Sequence, residues 1–213
     1  MQSTSMGERL QRAVALTVAA ILVAFGVAAI VKGLDGRSTV KSSLDQEHVV
    51  GLPYMTPQGI TATARKAGLR SFDVPDCSVA GKPVTNGTTA RCFGKYMRID
   101  ALIATGGKTY SQMPSFVSRD GKLTDDITQA RFLPGGGPIP NPARAAWVTE
   151  TALTTALNAS YMAEQISLFG IGVGAALLLV GLLFAGLAIG GVRIGRGGGQ
   201  TAETRRAQMF SRT

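Results

Sequence analysis

Apolar residues are distributed very unevenly along the chain. Ala13 to Val31 and Leu168 to Val192 contain no charged side chain, and each is long enough to cross the ~30 Å hydrocarbon core of a bilayer as a helix. The second stretch continues, without an intervening proline, from a segment rich in Ala, Leu, Thr and Glu, Ala143 to Ile166. Asn141-Pro142 precedes that segment, a capping side chain followed by a residue suited to the first helical turn. The pattern predicts one long helix, with residues 142–167 as a stalk and 168–192 as its continuation in the membrane. At ~1.5 Å per residue such a helix is on the order of 75 Å long. Residues 32–167, between the two spans, are enough for one compact domain.

Inside that domain the signals are shorter. Lys32 to Glu47 is polar, with Gly33 and Gly36, and reads as a loop or extended lead-in. Val49 to Tyr54 reads as a short strand or extended turn. Thr56-Pro57 starts a helix that runs to Ala67 and is stopped by Gly68. Pro75, Gly81, Pro83 and Asn86-Gly87 mark turns. Cys92, Phe93, Tyr96, Ile99 and Ile103 then repeat at threes and fours, predicting the best-packed helix over Thr89 to Thr105, ended by Gly106-Gly107. Asp120-Gly121 marks another turn. Thr124 to Arg131 is expected to be a short helix capped by Thr124, and Leu133 to Pro140 a Pro/Gly-rich loop.

Small residues form a second pattern on the long helix. Ala145, Val148, Ala152, Ala156, Ala159 and Ala163 step by threes and fours into a narrow seam suited to close helix contact. Gly170, Gly174 and Gly181 carry small residues into the span, where Gly186 and Gly190 form another pair four apart. The first span repeats Ala15 with Ala19, Ala20 with Ala24, and Ala24 with Ala28. The plainer expectation is that the seam packs on the protein's own helices, above all the first span. The sharper one is a homo-oligomer or a membrane-protein partner.

Charge decides orientation. The net charge of +9 divides into +1 before Lys32, +4 in the central domain and +4 after Val192. Basic residues are scattered and not interleaved with aromatics, so no nucleic-acid partner is expected. Arg193, Arg196, Arg205, Arg206 and Arg212 all follow the second span, which places its C-terminal end in the cytoplasm by the positive-inside bias. With two spans, residues 1–12 and the Gly/Arg-rich tail 193–213 are both cytoplasmic, and the central domain is extracytoplasmic. The tail's arginines are expected to meet anionic lipid headgroups. The first apolar run exceeds the 7–15-residue core of a cleaved signal, which favours an uncleaved anchor. Cys77 and Cys92 both fall in the central domain, and in an oxidising compartment a disulfide between them is expected.

Catalytic signatures are sparse. His48 is the only histidine, and it follows Glu47. A histidine-based site or a ligand site would be centred on this pair, with Tyr54 or Tyr110 nearby, although a lone histidine is more often structural or exposed. One histidine rules out the HExxH zinc motif and the two-His-one-carboxylate iron site. Gly106-Gly107-Lys108-Thr109 is similar to the end of a phosphate-binding loop, but Leu102 stands where that motif needs glycine. No catalytic residue, metal site or cofactor is expected.

Several segments together carry a family likeness: Glu47-His48-Val49-Val50-Gly51 with Met55-Thr56-Pro57, Ala90-Arg91-Cys92-Phe93, Tyr96-Met97-Arg98-Ile99, and Asn141-Pro142-Ala143-Arg144 with Trp147 to Leu153. Over roughly Ala13 to Val192 the chain resembles a family of uncharacterised two-span membrane proteins of actinobacteria. That family is sometimes labelled aromatic ring-opening dioxygenase, chemistry that needs an iron site these residues do not supply. The expectation is a mainly α membrane protein with a mostly helical extracytoplasmic interaction domain, acting as a non-enzymatic accessory or scaffold subunit. An enzyme or ligand binder at His48 and an oligomeric channel or transporter component stand as alternatives.

Overall fold

The computed structural model describes residues 6–210, with side chains described for 6, 7 and 9–189. Helix accounts for 65% of the residues. The elements are helices α1 (Met6–Gln46), α2 (Pro57–Lys66) and α3 (Gly87–Ala104), a 3-10 turn Tyr110–Gln112, strands β1 (Phe116–Val117) and β2 (Leu123–Thr124), and helix α4 (Pro142–Phe210). Two compact units result. One holds Met1–Asp35 with Ile166–Thr213, the other Gly36–Gln165.

In the first unit α1 and α4 run antiparallel and approach closely at glycines. A Cβ on Gly26 would lie 2.8 Å from the Gly174 carbonyl oxygen, and one on Gly174 would lie 2.6 Å from that of Gly26. Gly33 meets Ser167 and Ile171, and Gly181 meets Ala19 and Val23. Ala19, Gly26 and Gly33 are buried seven residues apart, and Gly174 and Gly181 repeat that interval on α4. This is the small-residue contact that lets helices pack without large side chains between them. Ala20, Ala24 and Ala28 point away from it, and Gly186 faces open space. Both helices are long and apolar enough to cross a membrane, and only 11% of each apolar window is buried. Phe25, Phe169, Leu179, Leu182, Leu183 and Leu187 are among the exposed side chains.

The polar segment from Lys32 is helix as far as Gln46, not the loop expected. Gly33 serves helix contact there rather than a turn, and Val40 and Leu44, one turn apart, pack on Val84 and Ala90. Lys41 and Asp45 add an i,i+4 ion pair. The helix stops at His48, whose φ of +49° is the one positive value among described non-glycine residues. Extended backbone follows, with Val50 and Gly51 bridging to Pro83 and Ala80.

Around α2 and α3 the local signals act as expected. Thr56 accepts the Gly59 amide at 3.0 Å, Pro57 occupies the first turn, and Gly68 takes a φ of +82°. Helix α3 begins earlier than predicted because Asn86 caps it. Its side chain accepts the Thr89 amide at 2.9 Å, and Thr89 returns the bond to complete a capping box. Cys77 and Cys92 form a disulfide. The main core gathers Met55, Ile60, Ala64, Val79, Cys92, Tyr96 and Ile99, with the Tyr96 hydroxyl donating to the Cys77 carbonyl.

Residues Thr124 to Arg131 are not a helix. Leu123 and Thr124 pair with β1 around Gly121, and the amides of Arg131 and Arg119 are committed to strand-like bonds, Arg131 to Val117 at 2.9 Å and Arg119 to Gln129 at 3.1 Å. Asp126 accepts from Thr128 at 2.8 Å in an Asx turn, the local bond that competes with helix. Asn141 opens α4 as predicted. It is buried, accepts the Ala143 amide at 3.0 Å and donates to the Pro114 carbonyl at 2.9 Å. Helix α4 continues past the end of the apolar stretch, through the Gly/Arg-rich tail to Phe210. The side chains of Arg193, Arg196, Arg205 and Arg206, and all of Arg212, lie outside the described residues.

Candidate functional site

The part of α4 within the Gly36–Gln165 unit has two distinct faces. Ala143, Trp147, Glu150, Thr154, Leu157, Tyr161 and Glu164 recur at threes and fours and turn inward. Trp147 is buried against Ala101 and Met113, with Leu102 and Ala143 beside it. Gly94 of α3 leaves room for Thr154 and Leu157, whose atoms would stand 3.5 and 3.7 Å from a Cβ there. Glu164, 8% exposed, accepts the Gly87 amide at 2.7 Å and so places a carboxylate on the N-terminus of α3. Arg37 lies 3.6 Å from the same carboxylate.

Three arginines stack on aromatic rings along this junction. Arg91 covers Tyr161 at 4.5 Å, Arg98 covers Trp147 at 4.0 Å, and Arg144 covers Tyr110 at 4.1 Å. Such cation–π contacts contribute about 0.5–2 kcal/mol each, more when dry. They attach α4 to α3 at two levels and to the 3-10 turn at a third.

The outward face carries the seam. Ala145, Val148, Ala152, Ala156, Ala159 and Ala163 are all exposed, so the seam does not pack on the protein's own helices as the plainer expectation held. The physical reason is size. The larger side chains one or two positions away, Trp147, Leu157 and Tyr161, bury more apolar area and take the inner face. Part of the seam borders an open groove of about 690 Å³ with Tyr110, Trp147, Thr151 and Thr155. Between Ala145 and Gln165 the charged residues are Glu150 and Glu164, and neither is exposed, so the outer face carries no charge. Leu153 at 49% and Met162 at 61% exposure extend it. Exposed apolar surface of this kind marks interaction sites in soluble proteins.

A cluster absent from the expectations lies on the inner face. The Tyr54 hydroxyl donates to Asp100 at 2.9 Å. Burial and that bond raise the Tyr54 pKa to about 12. Burial also raises the Asp100 pKa, with the Tyr54 bond acting in the opposite direction. Glu150, one turn after Trp147, is pushed up to about 7, first by burial and then by the negative charge of Asp100, with Arg98 partly offsetting both. In the sequence Tyr54 stands out only as a neighbour of His48. Nothing in the spacing of Asp100 and Glu150, fifty residues apart, announces that the charge of one acts on the other.

Glu47 and His48 are both exposed. His48 borders a shallow polar cleft with Ser38, Lys41, Ser42 and Asp45. Glu47 instead edges an apolar cavity of about 440 Å³ that includes Leu44, Val84, Phe93 and Leu157. The two side chains therefore line different spaces rather than one pocket. Their common position is the end of α1, where His48 adopts the left-handed conformation that terminates the helix. Among the described residues no group of three or more His, Cys, Asp or Glu could hold a metal ion. Compared with protein-family models, with curated proteins and with solved structures, the chain matches none of them.

Proposed function

We propose that the chain is a two-pass membrane protein whose Gly36–Gln165 unit is an extracytoplasmic interaction domain, acting as a non-enzymatic accessory or scaffold subunit. The observation that carries this reading is the outer face of α4: exposed, uncharged and small-surfaced, opposite a face committed to the domain's own core. The membrane placement is supported by two apolar helices that leave most of their side chains outward, an arrangement unlike the core helix of a soluble protein. The run of arginines after residue 192 supports cytoplasmic termini, and the disulfide supports an oxidising space for the central unit. The likeness to actinobacterial two-span proteins belongs to the same proposal. A site centred on His48 is not favoured, because the imidazole is exposed and ends a helix.

Crosslinking from the seam tests the reading. Ala152→Cys, oxidised in native membranes and analysed by mass spectrometry, is expected to give a defined adduct, to a second copy or to one other membrane protein. Arg119→Cys, on the exposed hairpin, serves as the control. Equal yields from the two positions, or none from Ala152→Cys, would overturn the interaction role. A reporter fused after Thr213 that is active only outside the cytoplasm would overturn the topology.

A further inference from the structure

We propose that the apolar cavity edged by Glu47 is a binding site for a primary organic ammonium with an apolar body. The site does not depend on what meets the outer face of α4, although Ala156 borders both spaces. It is also separate from His48, which borders the polar cleft.

The interior sets the body of the ligand. Leu44 from the end of α1, Val84 from the segment before α3, Phe93 and Met97 from α3, and Leu157 from α4 line one space of about 440 Å³. Small-molecule sites occupy ~300–1,000 Å³ and have mostly apolar walls. Leu44 and Val84 are buried in the neighbouring core, and Phe93 and Leu157 pack against it. Helix α4 is held on α3 by Arg91 over Tyr161 and by Glu164 on the Gly87 amide. Walls held in this way relax only in part into an empty space. Unfilled, the cavity leaves its lining without partner atoms, and water finds few hydrogen-bond partners among such side chains.

The polar lining selects the head group. Ser43 and Glu47 are exposed and Ser160 is half-buried, so the polar side chains sit where the cavity opens. The Ser160 hydroxyl donates to the Ala156 carbonyl at 3.1 Å, which leaves its lone pairs to accept. A carboxylate and two hydroxyl oxygens offer acceptors, and a primary ammonium carries three donors. Among the described residues no ion pair uses Glu47, while Lys41 is paired with Asp45 and Arg91 lies over Tyr161. The Glu47 charge is therefore open to a cation from outside the chain. An anionic head would meet that charge as repulsion, and a neutral alcohol would fit the walls without the electrostatic gain. Binding makes and breaks no covalent bond.

Met97 lines the cavity, so its methyl resonance reports occupancy in the full chain. Met162, 61% exposed on the outer face of α4, reports ligand that merely partitions into the surroundings. The probes are phenylbutylamine, phenylbutanol and phenylbutyrate, which share one body and differ in the head. Wild type in nanodiscs, isotope-labelled at the methionine methyl groups and titrated at about pH 7, is expected to show a saturable Met97 shift with the amine at the lowest concentration. The alcohol should need more, and the carboxylate most. Glu47→Gln, at an exposed position, should fold and weaken the amine about two- to fivefold, the range of a solvent-exposed ion pair, while leaving the alcohol unchanged. No saturable shift at Met97, an equal response at Met162, a preference for the alcohol or the carboxylate, or amine binding unchanged in Glu47→Gln would overturn the site. A Met97 shift that grows with protein concentration in the absence of amine would give the cavity to a second copy and overturn it as well.

Discussion

His48 shows how one residue type can point in two directions. As the only histidine it invites chemistry, yet its backbone does the visible work, turning at φ +49° where α1 ends. A non-glycine residue there costs roughly 1–2 kcal/mol, and histidine tolerates it better than most. His48→Gly is accordingly expected to stabilise the fold by about 0.5–1 kcal/mol, once the greater freedom of glycine in the unfolded chain is discounted. Chemical unfolding measures the change; a destabilised variant would mean that the imidazole makes contacts the fold depends on. The φ angle is not encoded in residue type, so this role was not legible in the sequence. Asn141 was legible, because a buried cap acts within two residues of itself and the Asn-Pro pair states it locally.

Among the elements, the two long helices show the same contrast. Their apolar stretches and the start of α4 could be read from composition and capping residues. The glycine contacts could be read only in part. Gly174 and Gly181 were marked as small, but which partner they meet depends on the antiparallel register with Ala19, Gly26 and Gly33. Gly174→Leu should drive α1 and α4 apart and lower the unfolding midpoint in detergent, with a cost of at least about 2 kcal/mol from overpacking. Gly186→Leu, facing open space, should change it by less than about 0.5 kcal/mol. Similar losses at both positions would remove the close contact as an explanation. The polar end of α1 reads as a loop because Gly33 and Gly36 resemble loop residues, while the packing of Val40 and Leu44 that holds the helix is a tertiary fact. Residues 124–131 failed for the complementary reason. A threonine cap signal was outweighed by strand-like bonds to Val117 and Arg119 that no local window contains.

For the molecule as a whole, the central unit combines one disulfide with a core built around Tyr96 and Trp147. Closing the loop between Cys77 and Cys92 is worth roughly 3 kcal/mol in the chain-entropy model, a large share of a small domain's stability. Reduction is expected to lower stability by about that amount, measured as the denaturant midpoint with and without a thiol reductant. An unchanged midpoint would mean that the α2–α3 core holds without the link. The cysteine pair was legible from count and compartment alone. The Tyr54, Asp100 and Glu150 cluster was not, since its members come from the segment before α2, from α3 and from α4, which only the folded domain brings near one another.

The capping box at the start of α3 also bears on how the protein can be made. Asn86-Gly87-Thr88 spells the acceptor triplet for N-linked sugars. In the folded chain Asn86 is half-buried, and the residue after it lies so close to Tyr161 and Glu164 that even a methyl group would collide. A eukaryotic secretory host that glycosylated the nascent chain would place a carbohydrate where α4 has to dock. Asn86→Asp keeps the oxygen that caps α3 and removes this triplet, while Asn158-Ala159-Ser160, with Asn158 exposed on α4, stays as a second acceptor in such cells.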